Sequence, residues 1–164
     1  MRIRPYQNKD FDIISQWITD ERSHALWCAN LMPYPLEKNS FDALLQEAEE
    51  RFGDSPFVAT TNDGQVVGFF CFSVNLHTNE GMLKFVVIDN TMRNKGYGCE
   101  MLKLAIKYAF EIAKADAVHL NVFPENSGAK KCYEKVGFKE RTLTENAFCF
   151  KDESWGRCNM ITTR

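Results

Sequence analysis

The stretch FVVIDNTMRNKGYGCEML, residues 85–102, carries the strongest structural signal in the chain. It begins as an apolar run typical of a strand, passes through Arg93-x-x-Gly96-x-Gly98, and continues directly into an amphipathic pattern typical of a helix. Closely spaced glycines let the backbone approach a ligand, and the first N–H groups of a helix have no intrahelical partner. These groups and the helix dipole attract anions, and Arg93 and Lys95 add positive charge. The segment therefore predicts a cradle for a pyrophosphate group.

Other interpretations of this turn remain open at this point. Gly96 and Gly98 can serve a tight turn alone, with Arg93 and Lys95 as solvated surface charges. A dinucleotide-binding turn is disfavoured, because that pattern requires G-x-G-x-x-G. A P-loop is excluded, because no Gly-Lys-Ser/Thr sequence is present.

Outward from this turn, the periodicity of apolar residues predicts an α/β (α+β) fold in a single domain, residues 1–164. We expect a central mixed, mostly antiparallel sheet of about six to seven strands, flanked by about four helices. The predicted helices cover residues 11–18, 41–52, 99–115 and 127–136, and the main predicted strands cover 57–60, 65–74, 82–88, 118–123, 146–150 and 157–162. Residues 26–40 mix aromatic residues with two prolines and are expected to be irregular.

Composition limits the classes of function. The net charge of −2 argues against a broad nucleic-acid-binding face, and the apolar runs are too short to cross a membrane. The six cysteines fit no zinc-ligand spacing, so we expect no metal and free thiols. The opening residues MRIRPYQNKDFD lack the apolar stretch of a secretion signal, which predicts a cytoplasmic protein.

A second stretch, NVFPENSGAKKCYEKVGF at residues 121–138, supplies an Asn, a small residue, a Tyr and a Gly-Phe pair in a strand and helix. Together with the turn at 93–98, and in this order, it resembles the GNAT superfamily of N-acetyltransferases. The resemblance covers essentially the whole chain. The first and last segments resemble the branch that includes ribosomal-protein N-terminal acetyltransferases.

The resemblance implies acetyl-CoA as co-substrate. The backbone of the strand would pair with the pantetheine arm as an added strand, the amides of the turn would hold the pyrophosphate, and residues of the following helix would contact polar groups of the cofactor. The residues implied are Val86, Val87, Ile88, Arg93, Asn94, Lys95, Gly96, Tyr97, Gly98, Cys99, Asn126 and Lys130.

The resemblance implies that Tyr133 is a catalytic acid. Transfer of an acetyl group expels the CoA thiolate, and a tyrosine with a pKa near 10 is able to protonate it. The alternative is that Tyr133 only packs its helix against the sheet.

Glu80 is the predicted general base, because some N-terminal acetyltransferases of the superfamily carry a Glu at the start of this strand. Strict alternation would place Glu80, Met82, Lys84, Val86 and Ile88 on one face. An exposed carboxylate at a strand end is the alternative.

The acceptor is expected to bind near Trp27, Met32 and Tyr34, with Trp155 as a further wall, because this region varies with substrate in the superfamily. These aromatic residues are equally suited to a core. The predicted function is an acyltransferase that moves an acetyl group to a primary amine of a small molecule, peptide or protein N-terminus by direct attack in a ternary complex.

Two alternatives have different functions: a catalytically silent CoA-binding sensor or scaffold, and a phosphate- or nucleotide-binding domain that does not use CoA. The predicted state is a monomer or homodimer.

Overall fold

Seven strands form one sheet in the computed structural model, which describes residues 1–164. The strands are β1 (Arg2–Pro5), β2 (Ser55–Thr60), β3 (Val66–Asn75), β4 (Glu80–Ile88), β5 (Ala117–Val122), β6 (Lys139–Phe150) and β7 (Glu153–Thr163). Their order across the sheet is β1-β2-β3-β4-β5-β7-β6. Only β4 and β5 pair in parallel, which confirms the predicted mixed, mostly antiparallel sheet.

Helices cover both faces of this sheet. They are α1 (Phe11–Ile14), α2 (Glu21–Cys28), α3 (Lys38–Phe52), α4 (Tyr97–Glu111) and α5 (Ser127–Lys135), with short 3₁₀ turns at Asn8–Asp10, Ser15–Trp17 and Asn90–Met92. Helix α3 ends at Gly53 in the left-handed conformation, as its position after the last apolar residue predicts. No helix is long and apolar enough to span a lipid bilayer.

Two apolar clusters fix the helices to the sheet. Helices α4 and α5 pack on one face through Met101, Leu102 and Tyr133, against Leu83 of β4 and Leu120 of β5. Segments of α1, α2 and α3 pack on the opposite face in a cluster rich in aromatic residues. The abundance of phenylalanine noted in the sequence is therefore mainly a property of the core.

A β-bulge interrupts β4 at its centre. Between the pairs Cys71–Lys84 and Phe69–Val87, β4 has two residues where β3 has one. Phe85, one of the two bulge residues of β4, has a positive φ of 52°, which is uncommon for a residue other than glycine. The carbonyl of Phe85 accepts a hydrogen bond of 2.9 Å from Trp27 Nε1, so α2 satisfies the polar group that the bulge frees.

The bulge overturns the expected strict alternation along β4. Before it, Leu83 packs against the α4–α5 cluster; after it, Val86 and Ile88 do so. Lys84 instead lies on the opposite face, where it pairs with Asp54 at the end of α3. Glu80 therefore does not share a face with Val86 and Ile88, because one inserted residue reverses the side on which each later side chain lies.

Two further expectations about local structure are wrong. Residues 21–28 form helix α2, capped by Asp20, whose side chain accepts a hydrogen bond from the Ser23 N–H. The predicted irregular stretch therefore begins only after this helix. Strand β6 starts at Lys139 rather than at residue 146, because its exposed, polar first half lacks the apolar alternation from which a strand is predicted.

Candidate functional site

Strands β4 and β5 separate after four paired residues, and a cavity lies where they part. The last parallel pair is Leu83–Leu120; β4 then continues beside β3, and β5 beside β7. We call the gap between residues 84–88 and 121–122 the β4–β5 wedge. The cavity beside it has a volume of about 500 Å³, within the usual range for small-molecule sites.

The turn before α4 forms one end of the cavity. Gly96 is the residue that precedes the helix and has a φ of 88°, a conformation that glycine adopts without strain. The N–H of Glu100 donates to the carbonyl of Gly96, so the preceding N–H groups of the first turn have no intrahelical acceptor. A Cβ at Gly96 would have nothing within 4 Å, which shows that this turn opens onto free space.

These features fit a pyrophosphate group. Arg93, Asn94, Gly96, Gly98 and Cys99 all line the cavity, so backbone donors and one guanidinium lie together. The side chains of Lys95 and Tyr97, predicted for the same role, are not part of the lining.

Helix α5 supplies the opposite wall. Asn126 precedes it and accepts a hydrogen bond of 3.4 Å from the Ala129 N–H. Gly128 and Ala129 are small, which leaves the cavity open at the start of this helix. Lys130, predicted to approach phosphates, instead pairs with Glu140 at 2.9 Å and lies outside the lining.

Tyr133 lies at the point where the wedge opens. Its side chain is only 6% exposed and contacts both the main cavity and a smaller one of about 40 Å³ on the other side of the wedge. The Tyr133 hydroxyl makes no hydrogen bond to protein. It is not fully buried, unlike the hydroxyl of Tyr6, which is buried and also lacks a partner. Burial, and secondly the neighbouring Cys132, raise the pKa of Tyr133. The phenol therefore stays protonated and remains free to donate.

Helix α2 forms a further wall of both cavities. Trp27, one of the residues predicted to bind the acceptor, lines both of them, and so does Leu26. Met32 is buried in the core and Tyr34 is 38% exposed, and neither lines a cavity. The expectation that Trp155 forms a wall in a loop is wrong: it lies in β7 and is buried among Phe123, Phe148 and Phe150.

Glu80 lies at the far end of β4 from the cavity. Its carboxylate accepts two hydrogen bonds of 3.0 Å from Arg141 and lies 3.9 Å from His119 Nε2. Six residues separate it from Val86, or roughly 20 Å along an extended strand. The structure therefore does not bring Glu80 together with Tyr133.

Several lining residues are not apparent from the sequence. Ile18, Ser23 and Leu26 reach the cavity because α1 and α2 fold over the wedge, and α2 itself is not predicted. Cys132 lies four residues after Gly128 and three after Ala129, and Lys135 lies three residues after Cys132, so helical spacing from the small residues at the start of α5 is the signal that would have found them.

The charged residues that line the two cavities are all cationic. Arg93 and Lys135 line the larger cavity, and Lys84 lines the smaller one. The Lys84 charge is balanced by Asp54 at 2.7 Å, outside the lining.

Comparisons with known proteins agree with this geometry. A model of the acetyltransferase (GNAT) family matches residues 5–138. A spermine/spermidine N(1)-acetyltransferase from Bacillus subtilis is 29% identical over 58% of this chain and 66% of that protein. An N-alpha-acetyltransferase from Sulfurisphaera tokodaii is 28% identical over 68% of this chain and 70% of that protein.

Among solved structures, spermidine N-acetyltransferase from Vibrio cholerae, in complex with CoA and spermine, superposes with a TM-score of 0.82. The alignment covers 99% of this chain and 94% of that one at 18% identity, which supports the fold. The family model covers most of the chain, including the wedge, the glycine turn and Tyr133. The chain belongs to the acetyltransferase (GNAT) family and transfers an acetyl group from acetyl-CoA to an amine.

Proposed function

We propose that the acceptor is an α-amino group, that of an amino acid or of a peptide N-terminus, which attacks acetyl-CoA directly in a ternary complex. The observation that carries this proposal is that the cavity walls hold three cationic residues, Arg93, Lys135 and Lys84, and no carboxylate. Asp54, which balances Lys84, lies outside the lining, so the further ammonium groups of a polyamine would find no anionic partner there. An amino acid brings a carboxylate that complements the cationic residues.

The fraction of each amine that is neutral at pH 7 also favours an α-amino acceptor. The N-terminal amine of a peptide, with a pKa near 8, is about one-tenth neutral at pH 7, whereas fewer than about one in 10³ lysine-type amines are neutral. A peptide N-terminus therefore presents enough of its nucleophilic form without a strong base beside it. This suits a site whose predicted base, Glu80, is held in an ion pair with Arg141 at the other end of the strand.

We assign the acid to Tyr133. Its hydroxyl has no competing protein partner and lies between the two cavities, so it is positioned to donate a proton to the departing sulfur. Its raised pKa keeps that proton on the phenol at neutral pH. Such donation typically contributes about 10²–10⁴-fold to the rate.

The cofactor is positioned by the backbone. The free edge of β4 at Val86, Val87 and Ile88 would pair with the pantetheine amides, and the first-turn N–H groups of α4 would bind the pyrophosphate. Trp27 stabilises the bulge that frees this edge, through its bond to the Phe85 carbonyl. In this assignment α2 has two roles: it lines the proposed acceptor site, and through Trp27 it holds the part of β4 that would pair with the cofactor.

An acceptor comparison tests the proposal. Loss of thioester absorbance from acetyl-CoA, a readout insensitive to the protein's own thiols, is followed at pH 7 with three acceptors: L-amino acids, a lysine-containing peptide with a free N-terminus, and spermidine. The matched control is the same peptide with its N-terminus blocked.

We expect kcat/KM to be at least about tenfold higher for the peptide with a free N-terminus than for spermidine or the blocked peptide, following their neutral fractions. Equal or faster turnover of spermidine would overturn the acceptor assignment. Thermal stabilisation by CoA without turnover of any amine would support a silent CoA-binding module instead.

A further inference from the structure

Two cysteines face each other in the wall of the cofactor cavity. Cys99 lies in the first turn of α4 and Cys132 in α5, and their Sγ atoms are 3.0 Å apart. Both line the cavity and are partly exposed. The other four cysteines make no such contact: Cys28, Cys71 and Cys158 are buried and Cys149 is exposed.

The spacing is close to that of a covalent bond. A disulfide has an S–S length of about 2.05 Å, so the two sulfurs need to approach by roughly 1 Å. Gly98, next to Cys99, lets the Cys132 sulfur lie close to α4, since a Cβ added at Gly98 would lie 3.4 Å from Cys132 Sγ. The two helices contact each other here, and neither thiol is held by another hydrogen-bond partner in the structure.

We propose that Cys99 and Cys132 form a dithiol site that is oxidised reversibly to an intramolecular disulfide by low-molecular-weight disulfides. One protein thiolate attacks a sulfur of the small disulfide, which releases one small thiol and leaves a mixed disulfide. The second protein thiolate then attacks the mixed disulfide and releases the other small thiol. The two protein thiols lose two electrons and two protons, and the small disulfide gains them.

The first attack is assigned to Cys99 because it lies in the first turn of α4, where the free N–H groups and the positive end of the helix dipole favour a reacting thiol. Burial, and secondly the adjacent Cys99, raise the pKa of the Cys132 thiol, which makes its thiolate scarce. Cys99 therefore attacks first and Cys132 resolves the mixed disulfide. The small thiol leaves through the cavity that both residues line.

The bond would compete with the cofactor. It joins the first turn of α4, whose N–H groups are proposed to hold the pyrophosphate, to the helix that carries Tyr133. A cofactor in the cavity would cover both sulfurs, and only the free protein would be oxidised. This competition rests on the cofactor position proposed above, whereas formation of the bond does not.

The bond itself is tested on the reduced full chain with glutathione disulfide at pH 8, followed by alkylation and intact-mass measurement. We expect a peptide map of the unmutated chain to show a Cys99–Cys132 link, and the number of alkylated thiols to fall from five to three in Cys149→Ser, which lacks the exposed thiol that would take up glutathione by itself. Closing a loop of 33 residues should raise Tm by roughly 5–15 °C. The variants Cys99→Ser and Cys132→Ser should each abolish the link, and Cys149→Ser, at the exposed cysteine, should leave it intact.

Alkylation of both Cys99 and Cys132 after oxidation, or a stable glutathione adduct at either of them without the link, would overturn the proposal. If a serine variant melts early when reduced, the peptide map of the unmutated chain still decides the outcome.

The competition is tested with desulfo-CoA, which has no thiol of its own. At roughly ten times its Kd, it should slow oxidation about tenfold, because only free protein reacts. An unchanged rate at proven saturation would overturn the competition and the cofactor position together, while the bond would stand on the peptide map.

Discussion

The two halves of strand β4 differ in what their backbones pair with. From Glu80 to Leu83 the strand has neighbours on both sides, β3 and β5. From Lys84 to Ile88 it pairs only with β3, and its other edge faces the cavity. The bulge lies in the second half of β4, so the half before it is paired on both sides and the half that contains it has one edge free to bind a ligand.

The difference shows that the site depends on a defect in a regular element. Phe85 has a positive φ, which costs free energy, and Trp27 and the Lys84–Asp54 pair anchor the strand on either side of it. The paired half needs no such anchors. Changes at the free half and its anchors should therefore affect catalysis or folding more than changes at the paired half.

The largest effect is expected for Tyr133→Phe, at the opening of the wedge. Removal of the hydroxyl should lower kcat by about 10²–10⁴-fold, while KM for acetyl-CoA and Tm stay nearly unchanged because the buried ring remains. Steady-state kinetics with thioester absorbance measure this. Because the pKa of Tyr133 is raised, the wild-type rate should not fall between pH 8 and 10.

Tyr108→Phe is the matched control, because Tyr108 lies on α4 outside the cavity and packs against Phe57 and Phe72. An equal loss of kcat in both variants would show that the effect is one of packing. An unchanged rate in Tyr133→Phe would remove this residue from the reaction.

Loss of the Lys84–Asp54 pair beside the bulge should lower the free energy of unfolding more than loss of an exposed ion pair. Asp54→Asn leaves Lys84, 17% exposed, without its partner, and should lower the free energy of unfolding by about 3 kcal/mol. Tm should fall by roughly 6–12 °C. Asp42→Asn, which breaks an exposed pair with Lys38, is the control and should cost at most about 0.5 kcal/mol in a denaturant titration. Similar costs for both variants would mean that the bulge needs no anchor.

Gly96→Ala should have a smaller effect, confined to the cofactor. Its φ of 88° strains an alanine by about 1 kcal/mol, and the shifted amides should raise KM for acetyl-CoA about tenfold. Gly64→Ala in the β2–β3 turn provides the control, because its φ of 93° and open surroundings impose the same strain far from the cavity. If KM rises equally in both, the turn at Gly96 has no special role.

The sequence predicts the regular elements of the molecule better than the bulge in β4. The glycine turn, the strand before it and the helix after it are encoded locally, so the sequence is enough to single out Arg93, Gly96 and Gly98, and all three line the cavity. The bulge is not encoded in this way. Nothing in the letters KFVV distinguishes a regular strand from one with an inserted residue, because the insertion depends on what β3 and α2 place beside it.

The acceptor side was predicted less well for a related reason. Trp27, Met32 and Tyr34 are close in sequence, but α2 ends between them, and the left-handed residues Ala29 and Asn30 redirect the chain. Trp27 therefore faces the wedge while Met32 enters the core. Helix termination by residues other than glycine gives little local signal.

The smallest effect is expected at the paired half. Glu80→Gln breaks a partly exposed ion pair with Arg141 and should lower the free energy of unfolding by at most about 1 kcal/mol. Because the carboxylate lies roughly 20 Å along the strand from Val86, kcat/KM should change by less than about threefold at any pH from 6 to 9. A base that accepts the amine's proton would behave differently: its loss would be severe at pH 7 and relieved as rising pH deprotonates the amine. A pH profile of the variant therefore separates the two roles, and a loss of 10²-fold at pH 7 that recovers by pH 9 would return Glu80 to the reaction.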